Sequence, residues 1–454
     1  MTHLIKKQKA IQIVKTLTQN GFVSYFAGGC VRDLVMNVGP KDYDIATVAT
    51  PDEVAKLFPR HVPVGKQFGV LLVLMDEDQF EVATFRREGG YHDGRHPDSV
   101  SFTIPEEDAY RRDFTINGMF YNPIEERVID FVHGERDIQG GVIRTIGDPE
   151  ARFGEDKLRL LRAIRFAANL NFRIEEKTWA AIQKLAQTIH LVSQERIRDE
   201  LVKMLTRSNA GRALDLLDQS GLLEEVLPEI TAMKGVAQPP EFHPEGDVFV
   251  HTRMLLDQLK DNASPVLALG ALLHDVGKPN TFSDDGKRIR FNNHAHVGAE
   301  MSKEILKRLR FSNREIDSIV SCVENHMKFA NVKEMRIGKL KQFIARDNFS
   351  LELELHRIDC LASHGKLELY QFLKNKEKEF AVEDLKPKSF LNGHDLIAVG
   401  IKPGPEMKKI LEEAYQLQLE GTLDIKEKAL EWVKKRACGG NRPNENRGNN
   451  ATSH

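Results

Sequence analysis

Two hydrophobic rhythms divide this chain. Up to about residue 147 they alternate. Ile11, Val14 and Leu17 recur at helical spacing, so the chain opens on an amphipathic helix. The apolar run Phe22 to Phe26 predicts a strand that ends at Gly28-Gly29. Asp42, Tyr43, Asp44 and Ile45 alternate in strand fashion, which puts both aspartates on one face. Thr50-Pro51-Asp52-Glu53 predicts a helix start, with a capping threonine and proline at the first position. Val70 to Met75 and Phe80 to Phe85 read as strands joined by the acidic turn Asp76-Glu77-Asp78, and Gly118 to Tyr121 and Val128 to Val132 as two more. From about Gly147 strands are expected to stop, and Leu158, Leu161, Ile164 and Ala168 begin a long helical series. A Pro/Gly-rich break from Gln238 to Gly246 separates two helical blocks, and the stretch from Cys438 to His454, rich in Gly, Asn and Arg, reads as disordered. The fold class expected is α+β: a small mixed sheet with helices, then an all-α remainder.

Composition narrows the classes. The 454 residues suffice for two to four domains with a large core. Lys+Arg 65 against Asp+Glu 67 gives a net charge of −2, so nucleic-acid binding must rely on local basic patches. No apolar run approaches the roughly 20 residues that span a bilayer, and the N-terminus carries no apolar core with a cleavage site. Four scattered cysteines (Cys30, Cys322, Cys360, Cys438) lack zinc-like spacing and fit reduced thiols. A cytoplasmic protein without a membrane partner is expected.

The chemistry concentrates in Gly28-Gly29-Cys30-Val31-Arg32-Asp33 followed by Lys41-Asp42-Tyr43-Asp44. Alone, a glycine pair is usually a turn and Asp-x-Asp usually a solvated strand edge. In this order they form a set: a turn that lets backbone approach an anion, a helix N-terminus, and two hard oxygen ligands suited to Mg2+. The set resembles the signature of the polymerase-beta-like nucleotidyltransferases. More narrowly it is similar to their second class, the tRNA CCA-adding enzymes and bacterial poly(A) polymerases. The resemblance implies that Asp42 and Asp44 are catalytic and hold Mg2+, and that Gly28, Gly29, Arg32 and Asp33 line the nucleotide.

The segment from Thr84 to Pro97 has the composition of a mobile surface loop, and it is similar to the flexible loop that CCA-adding enzymes use when A is added. Arg111 and Arg112 suit triphosphate oxygens, and Asp113 a ribose hydroxyl. With Asn117 they resemble the family's Arg-Arg-Asp motif, although Gly118 stands where alanine is the commoner residue. Asp130 through Asp137, with Gly134, resembles the hinge that joins head and neck.

Glu155-Asp156-Lys157-Leu158-Arg159 predicts a helix start. Acidic residues in a first turn and an arginine four residues on are ordinary helix stabilisers. A chemical role is equally open. Asp156 and Arg159, three apart, are expected to share one helix face and pair an acceptor with a donor. Cytosine and adenine both offer an amino group beside a ring nitrogen acceptor, whereas uracil and guanine present the reverse and leave both protein groups unsatisfied. This resembles the family's Glu-Asp-x-x-Arg motif, continued by Arg162, Arg165 and Phe166, with Ser193-Gln194-Glu195-Arg196-Ile197 similar to the supporting neck element.

A second constellation follows: His251, then His274-Asp275-Val276-Gly277-Lys278, then His294, His326 and Asp359. Imidazole beside carboxylate is a good metal pair, although a lone histidine is usually structural. The order His, His-Asp, Asp resembles the HD phosphohydrolases, which implies His251, His274, Asp275 and Asp359 as ligands, His294 and His326 as further candidates, and a metal such as Ni2+, Mn2+ or Co2+. His394-Asp395 reads as a helix cap, within a segment similar to the C-terminal element of longer CCA-adding enzymes.

The expected domains are a nucleotidyltransferase head (1–147), a helical neck (148–237), an HD-type body (245–370), a helical tail (371–437) and the disordered end (438–454). The implied activity is template-independent addition of C and A to the tRNA 3′ end from CTP and ATP, without an obligatory protein partner. Poly(A) polymerase or A-adding enzyme is the nearest alternative. Others are an HD phosphohydrolase with a regulatory nucleotide-binding head, and a non-catalytic RNA-binding protein.

Overall fold

The computed structural model describes residues 2–65, 69–89, 99–241, 243–244, 246–380 and 385–439. The chain divides into two compact units, Met1–Val320 and Ser321–His454. The division falls inside the stretch 245–370 that the sequence groups as one body.

The first unit begins with α1 (Thr2–Gln19), β1 (Ser24–Ala27), α2 (Gly29–Val35), β2 (Asp44–Thr47) and α3 (Pro51–Leu57). Then come β3 (His61–Gly65), β4 (Val70–Met75), β5 (Asp78–Thr84), β6 (Arg86–Gly89), β7 (Ser99–Phe102) and α4 (Pro105–Tyr110). β8 (Phe120–Asn122), β9 (Arg127–Ile129) and α5 (Gly134–Gln139) complete the head. Seven strands form one sheet in the order β3-β4-β5-β2-β1-β8-β9. Its pairs are antiparallel except β2 with β5, which run parallel. One face is covered by α1 and α3: Ala10, Ile13, Val14 and Leu17 pack on Phe26, Ile45, Leu71 and Val82. Strand alternation sends Ala27, Ala46 and Phe85 to the opposite face, against Phe120 and Ile146. Thr50 caps α3 through a complete capping box with Glu53, and Pro51 sits at the first position as its sequence predicts.

Several boundaries differ from the sequence reading. Gly118 is outside any strand, because Thr115–Asn117 forms a 3-10 turn. A Cβ at Gly118 would come within 2.7 Å of Ile146 and 2.8 Å of Val132, so this chain's larger neighbours exclude the alanine expected there. β9 stops at Ile129 because the Asp130 carboxylate accepts from Val132 N and Glu135 N and turns the chain. Gly134 is required at that turn, since a Cβ would lie 2.3 Å from Thr115 O.

Strands do not end at Gly147. β10 (Val142–Ile143) pairs in parallel with β11 (Arg173–Ile174), and Phe282–Asp284 pairs with Ile289–Phe291. Between β10 and the histidine-bearing part run α6 (Pro149–Glu155), α7 (Leu158–Asn169), α8 (Glu176–Leu185) and α9 (Gln194–Leu205). α7 buries Leu158, Leu161, Ile164 and Ala168 as their spacing predicts. The second unit is helical, with one core around Phe329, Phe343 and Leu353 and another around Leu396, Ile410 and Val433. Asn392 caps the helix Gly393–Ala398 in a capping box with Asp395, the role expected of that segment. Helix Lys426–Gly439 extends into the expected disordered end, whose remainder lies outside the described residues. No helix among the described residues is long and apolar enough to cross a membrane.

Candidate active site

The sheet and α7 enclose a cavity of about 550 Å3. Eleven of its lining residues are candidates from the sequence: Gly28, Gly29, Arg32, Asp44, Arg111, Arg112, Asp113, Asn117, Asp156, Arg159 and Arg162. Leu158, Arg165, Phe166 and Arg196 complete it. Seven arginines against three aspartates give a wall fitted to a polyanion.

The glycine turn stands where β1 delivers it. Ala27 pairs with Asp44 across the sheet, so the next residue, Gly28, sits beside that carboxylate. Gly28 has φ 71, and its Cβ position is 3.4 Å from Arg112 Nη1 and 3.9 Å from Asp44 Oδ2. Asp44 starts β2 on the Ala46 face. Asp42 precedes the strand, so strand alternation does not place it, and its exposed carboxylate accepts from Lys6 Nζ at 2.5 Å. The register Ile45↔Val82, continued by one residue, brings Glu81 beside Asp44. Part of the Asp44 side chain meets solvent. Its carboxyl is nevertheless pushed up to about 6, first by the protein mass that displaces water and next by Glu81, with Arg112 opposing and Asp42 adding to the rise. Carboxylates crowded in this way fit a divalent cation. Glu81 escaped the sequence reading because strand pairing alone brings it here. Asp44, Glu81, Arg86, Arg111 and Arg112 also line a smaller cavity of about 280 Å3. Of the expected mobile loop, residues 90–98 lie outside the described residues, while Arg86–Gly89 forms β6, paired with β7.

Asp108 organises the two arginines. This buried side chain on α4 accepts from Arg111 Nε at 2.8 Å and from Arg112 Nε and Nη2 at 3.1 and 2.9 Å. Burial raises its carboxyl, but Arg112 and Arg111 outweigh that and hold it below the ordinary range. Asp113 is buried and committed. Its Oδ2 takes Arg162 Nε and Nη2 at 2.8 and 2.6 Å, and its Oδ1 takes Phe114 N at 2.8 Å. Burial opposes ionisation there, yet Arg162 and Arg159 bring the carboxyl to about 2. Asp113 therefore ties head to neck rather than presenting a free acceptor. Arg32 donates to Asp33 at 2.6 Å and to Asn117 Oδ1 at 3.1 Å. Phe166 carries Arg165 at 4.0 Å, Arg162 at 5.4 Å and Arg32 at 5.5 Å over its ring.

Asp156 and Arg159 share the cavity, but not as neighbours on one helix. Glu155 ends α6, and Asp156 is extended (φ −142, ψ 107) in the break before α7. Its Oδ1 accepts from Leu158 N at 3.0 Å and its Oδ2 from Arg196 Nη2 at 2.7 Å. Arg159 Nη1 donates to Glu155 Oε2 at 2.5 Å and to Arg152 O at 2.9 Å. The expected Glu155–Arg159 pair thus exists, but it bridges the break between α6 and α7 instead of lying within one helix, and it fixes the guanidinium at the cavity wall.

The first unit gathers four of the six histidine-site candidates. His274 Nε2 lies 3.1 Å from Asp275 Oδ2, His294 Nε2 lies 3.6 Å from Asp275 Oδ1, and the His251 ring is 5.4 Å from that of His274. His274 Nδ1 meets Ala271 O at 2.9 Å and His294 Nδ1 meets Phe291 O at 2.9 Å. A carbonyl only accepts, so each Nδ1 carries the proton and each Nε2 keeps its lone pair, the orientation metal ligands take. Burial, more than Asp275 opposes it, lowers the His294 pKa and favours the neutral ring. Gly277 permits the approach: a Cβ there would lie 2.3 Å from His294 O. Lys278, also buried, donates to Asp275 at 2.6 Å. His326 and Asp359 belong to the second unit, on the segments His326–Glu334 and Phe349–Ala362. There the His326 Nδ1 meets Val323 O at 2.6 Å in the same manner.

A family model described as the poly A polymerase head domain matches residues 24–144. A probable RNA and SrmB-binding site of polymerase A matches 171–234, and a putative tRNA nucleotidyltransferase domain 2 matches 292–433. The CCA-adding enzyme of Geobacillus sp. (strain WCH70) is 45% identical over 216 residues, 47% of this chain and 53% of that one. That of Bacillus subtilis (strain 168) is 44% identical over 219 residues, 48% of this chain and 55% of that one. The chain thus spans about half the length of the curated relatives it matches. The crystal structure of Bacillus stearothermophilus CCA-adding enzyme in complex with CTP matches 95% of this chain and 98% of its own at 26% identity, with a TM-score of 0.73. The Thermotoga maritima CCA-adding enzyme complexed with tRNA, 22% identical with a TM-score of 0.57 over 95% of each chain, shares the fold. With the head motifs in one cavity, and these matches spread over residues 24–144, 171–234 and 292–433, the chain is similar to the CCA-adding enzymes and carries a region similar to the poly A polymerase head domain.

Proposed function

We propose that this protein adds C and A nucleotides to the 3′ end of tRNA from CTP and ATP, without a nucleic-acid template. The observation that carries this is the single cavity with Asp44 and the glycine turn at one side and the held Asp156 and Arg159 at the other. The arginine wall binds the triphosphate, with Arg111 and Arg112 aimed by Asp108. Asp156 accepts from the amino group of cytosine or adenine, and Arg159 donates to the ring nitrogen beside it. Uracil and guanine meet an acceptor with an acceptor and a donor with a donor. The RNA 3′ end enters the smaller cavity, which shares Asp44, Arg111 and Arg112 with the larger one. Asp42, Asp44 and Glu81 are the residues that would hold divalent metal, Mg2+ in our reading. When bound, metal supplies Lewis-acid stabilisation of the attacking hydroxyl and the departing pyrophosphate. We place the protein in the cytosol, where thiols such as the buried Cys30, Cys322 and Cys360 stay reduced.

The test is extension of tRNAs ending before the first C and after CC, beside a generic RNA, each with CTP or ATP. Addition of C, C and A to the tRNAs alone is the expected outcome. Long A tails on generic RNA would assign the protein to the poly(A) polymerases instead.

A second activity is favoured by the paired Nε2 atoms around Asp275. We propose that His251, His274, Asp275 and His294 hold a divalent transition metal such as Ni2+, Mn2+ or Co2+ in an HD-type phosphohydrolase centre. Such a centre would clear 3′ or cyclic phosphates from RNA ends before extension. His274→Ala is expected to lose bound metal, read by elemental analysis of the purified protein, and to lose phosphatase activity while still adding nucleotides. Retention of full metal content by that variant would refute the assignment.

A further inference from the structure

Arg152 sits in the last turn of α6, three residues before Glu155. That spacing alone makes it half of an ordinary helix ion pair, of small effect. Its other contacts lie outside its helix. Nε donates to Ile146 O at 3.0 Å, Nη2 to Tyr110 O at 3.0 Å, and Nη1 to Arg111 O at 3.4 Å. Nη1 also donates to Glu155 Oε2 at 2.9 Å. A guanidinium carries its N–H groups in a rigid planar fork, so this one side chain holds three segments at set angles. Arg152 stands behind the cavity wall rather than on it.

The segments it holds serve two ends of one substrate. On one side, Glu155 Oε2 also takes Arg159 Nη1 at 2.5 Å, and the Arg152 carbonyl takes the same nitrogen at 2.9 Å. The guanidinium that reads the base is thus held by Arg152 and by the ion-pair partner of Arg152. On the other side, Tyr110 ends α4 and Arg111 follows it. The carbonyls that Arg152 holds therefore belong to the turn that carries Arg111 and Arg112. Asp108 fixes the side chains of those two arginines, and Arg152 fixes the backbone they grow from. Arg159 Nη2 itself reaches Arg111 O at 3.5 Å. These links are charge-assisted and directional, so a shift of Arg159 is passed on to the arginine turn.

We propose that Arg152 is a positioning residue that couples base recognition at Arg159 to the placement of the triphosphate by Arg111 and Arg112. A matched base then gains in the rate of transfer as well as in binding. This rests on the base reading by Asp156 and Arg159 proposed above, and adds how that reading reaches the reacting phosphate.

The test is single-turnover addition by the full chain to a tRNA lacking its 3′ end, with CTP and with UTP, each resolved into a maximal rate and an apparent Kd. The wild-type protein is expected to prefer CTP in both quantities. Arg152→Met keeps the main-chain carbonyl that Arg159 uses and removes the fork. Its maximal rate with CTP should fall about 10²-fold, the scale on which a displacement of about 1 Å acts. With UTP, whose base does not set the arginine turn, the rate should fall less than about 3-fold. The ratio of the two Kd values, set directly by Asp156 and Arg159, should stay within about 2-fold. Arg152→Lys keeps the charge without the fork and should recover about 10-fold of the lost CTP rate. If Arg152→Met proves unfolded in a thermal melt, Arg152→Lys carries the same comparison with the same sign. Equal loss of rate with CTP and UTP would make Arg152 a mere fastener between head and neck, and overturns the proposal. So do unchanged rates, and so does a wild-type preference carried by Kd alone. The base reading fails separately, when Asp156→Ala leaves the wild-type preference for CTP intact.

Discussion

Asp44→Asn is expected to slow nucleotide addition about 10³-fold, the scale on which removal of one preorganised charged group acts, with CTP binding little changed. Asp44 is the aspartate that the sheet itself positions: it starts β2 opposite Ala27, beside the glycine turn, and borders both cavities. The neighbouring carboxylates are less tightly placed. Asp42 lies ahead of the strand, exposed and paired with Lys6, and Glu81 comes from the parallel neighbour. Glu81→Gln should therefore cost less, about 10- to 100-fold, as supporting residues at metal sites do. Single-turnover incorporation of labelled CMP into a tRNA lacking its 3′ end measures both. An Asp44→Asn protein that adds CMP at the wild-type rate would remove the basis for the assigned reaction.

Asp156→Ala should collapse base choice. A site built to hydrogen-bond its substrate rejects a mismatched one by about 10⁴-fold or more, and loss of one member should lower the CTP-over-UTP ratio of kcat/KM by at least about 10²-fold. Arg196→Ala should give a smaller loss in the same direction, because Arg196 holds Asp156 without lying beside it in the chain. A purely structural Asp156, serving only to cap α7 at Leu158 N, would behave differently. Its removal would lower thermal stability and leave the CTP-to-UTP ratio where it was. Measuring both quantities on one protein separates the two roles.

Much of the candidate site was readable because its residues lie close together along the chain. Gly28 and Gly29, Arg111 to Asn117 and Asp156 to Arg162 each belong to one short segment, and all three segments reach the same cavity. The histidine string was legible for the same reason, and Gly277 shows why its spacing matters. The misjudgements arose where local pattern was projected too far. Alternation from Asp42 to Ile45 implied a strand already formed at Asp42, but pairing begins at Asp44. Three-residue spacing implied a shared helix face for Asp156 and Arg159, but a break between α6 and α7 separates them. Asp113 looked available to a ribose, yet Arg162 from the neck takes it.

The sequence by itself determined most of the element types, the glycine turn, the capped helices and the acidic and basic groups available for chemistry, because period, capping and backbone freedom act over a few residues. Only the tertiary structure decided which of those groups meet. Glu81 beside Asp44, Arg196 on Asp156, Arg162 on Asp113 and Arg32 over Phe166 are joined by strand register and helix packing. Those contacts link residues far apart in the chain, and their strength comes from burial and pairing, neither of which exists until the chain has folded.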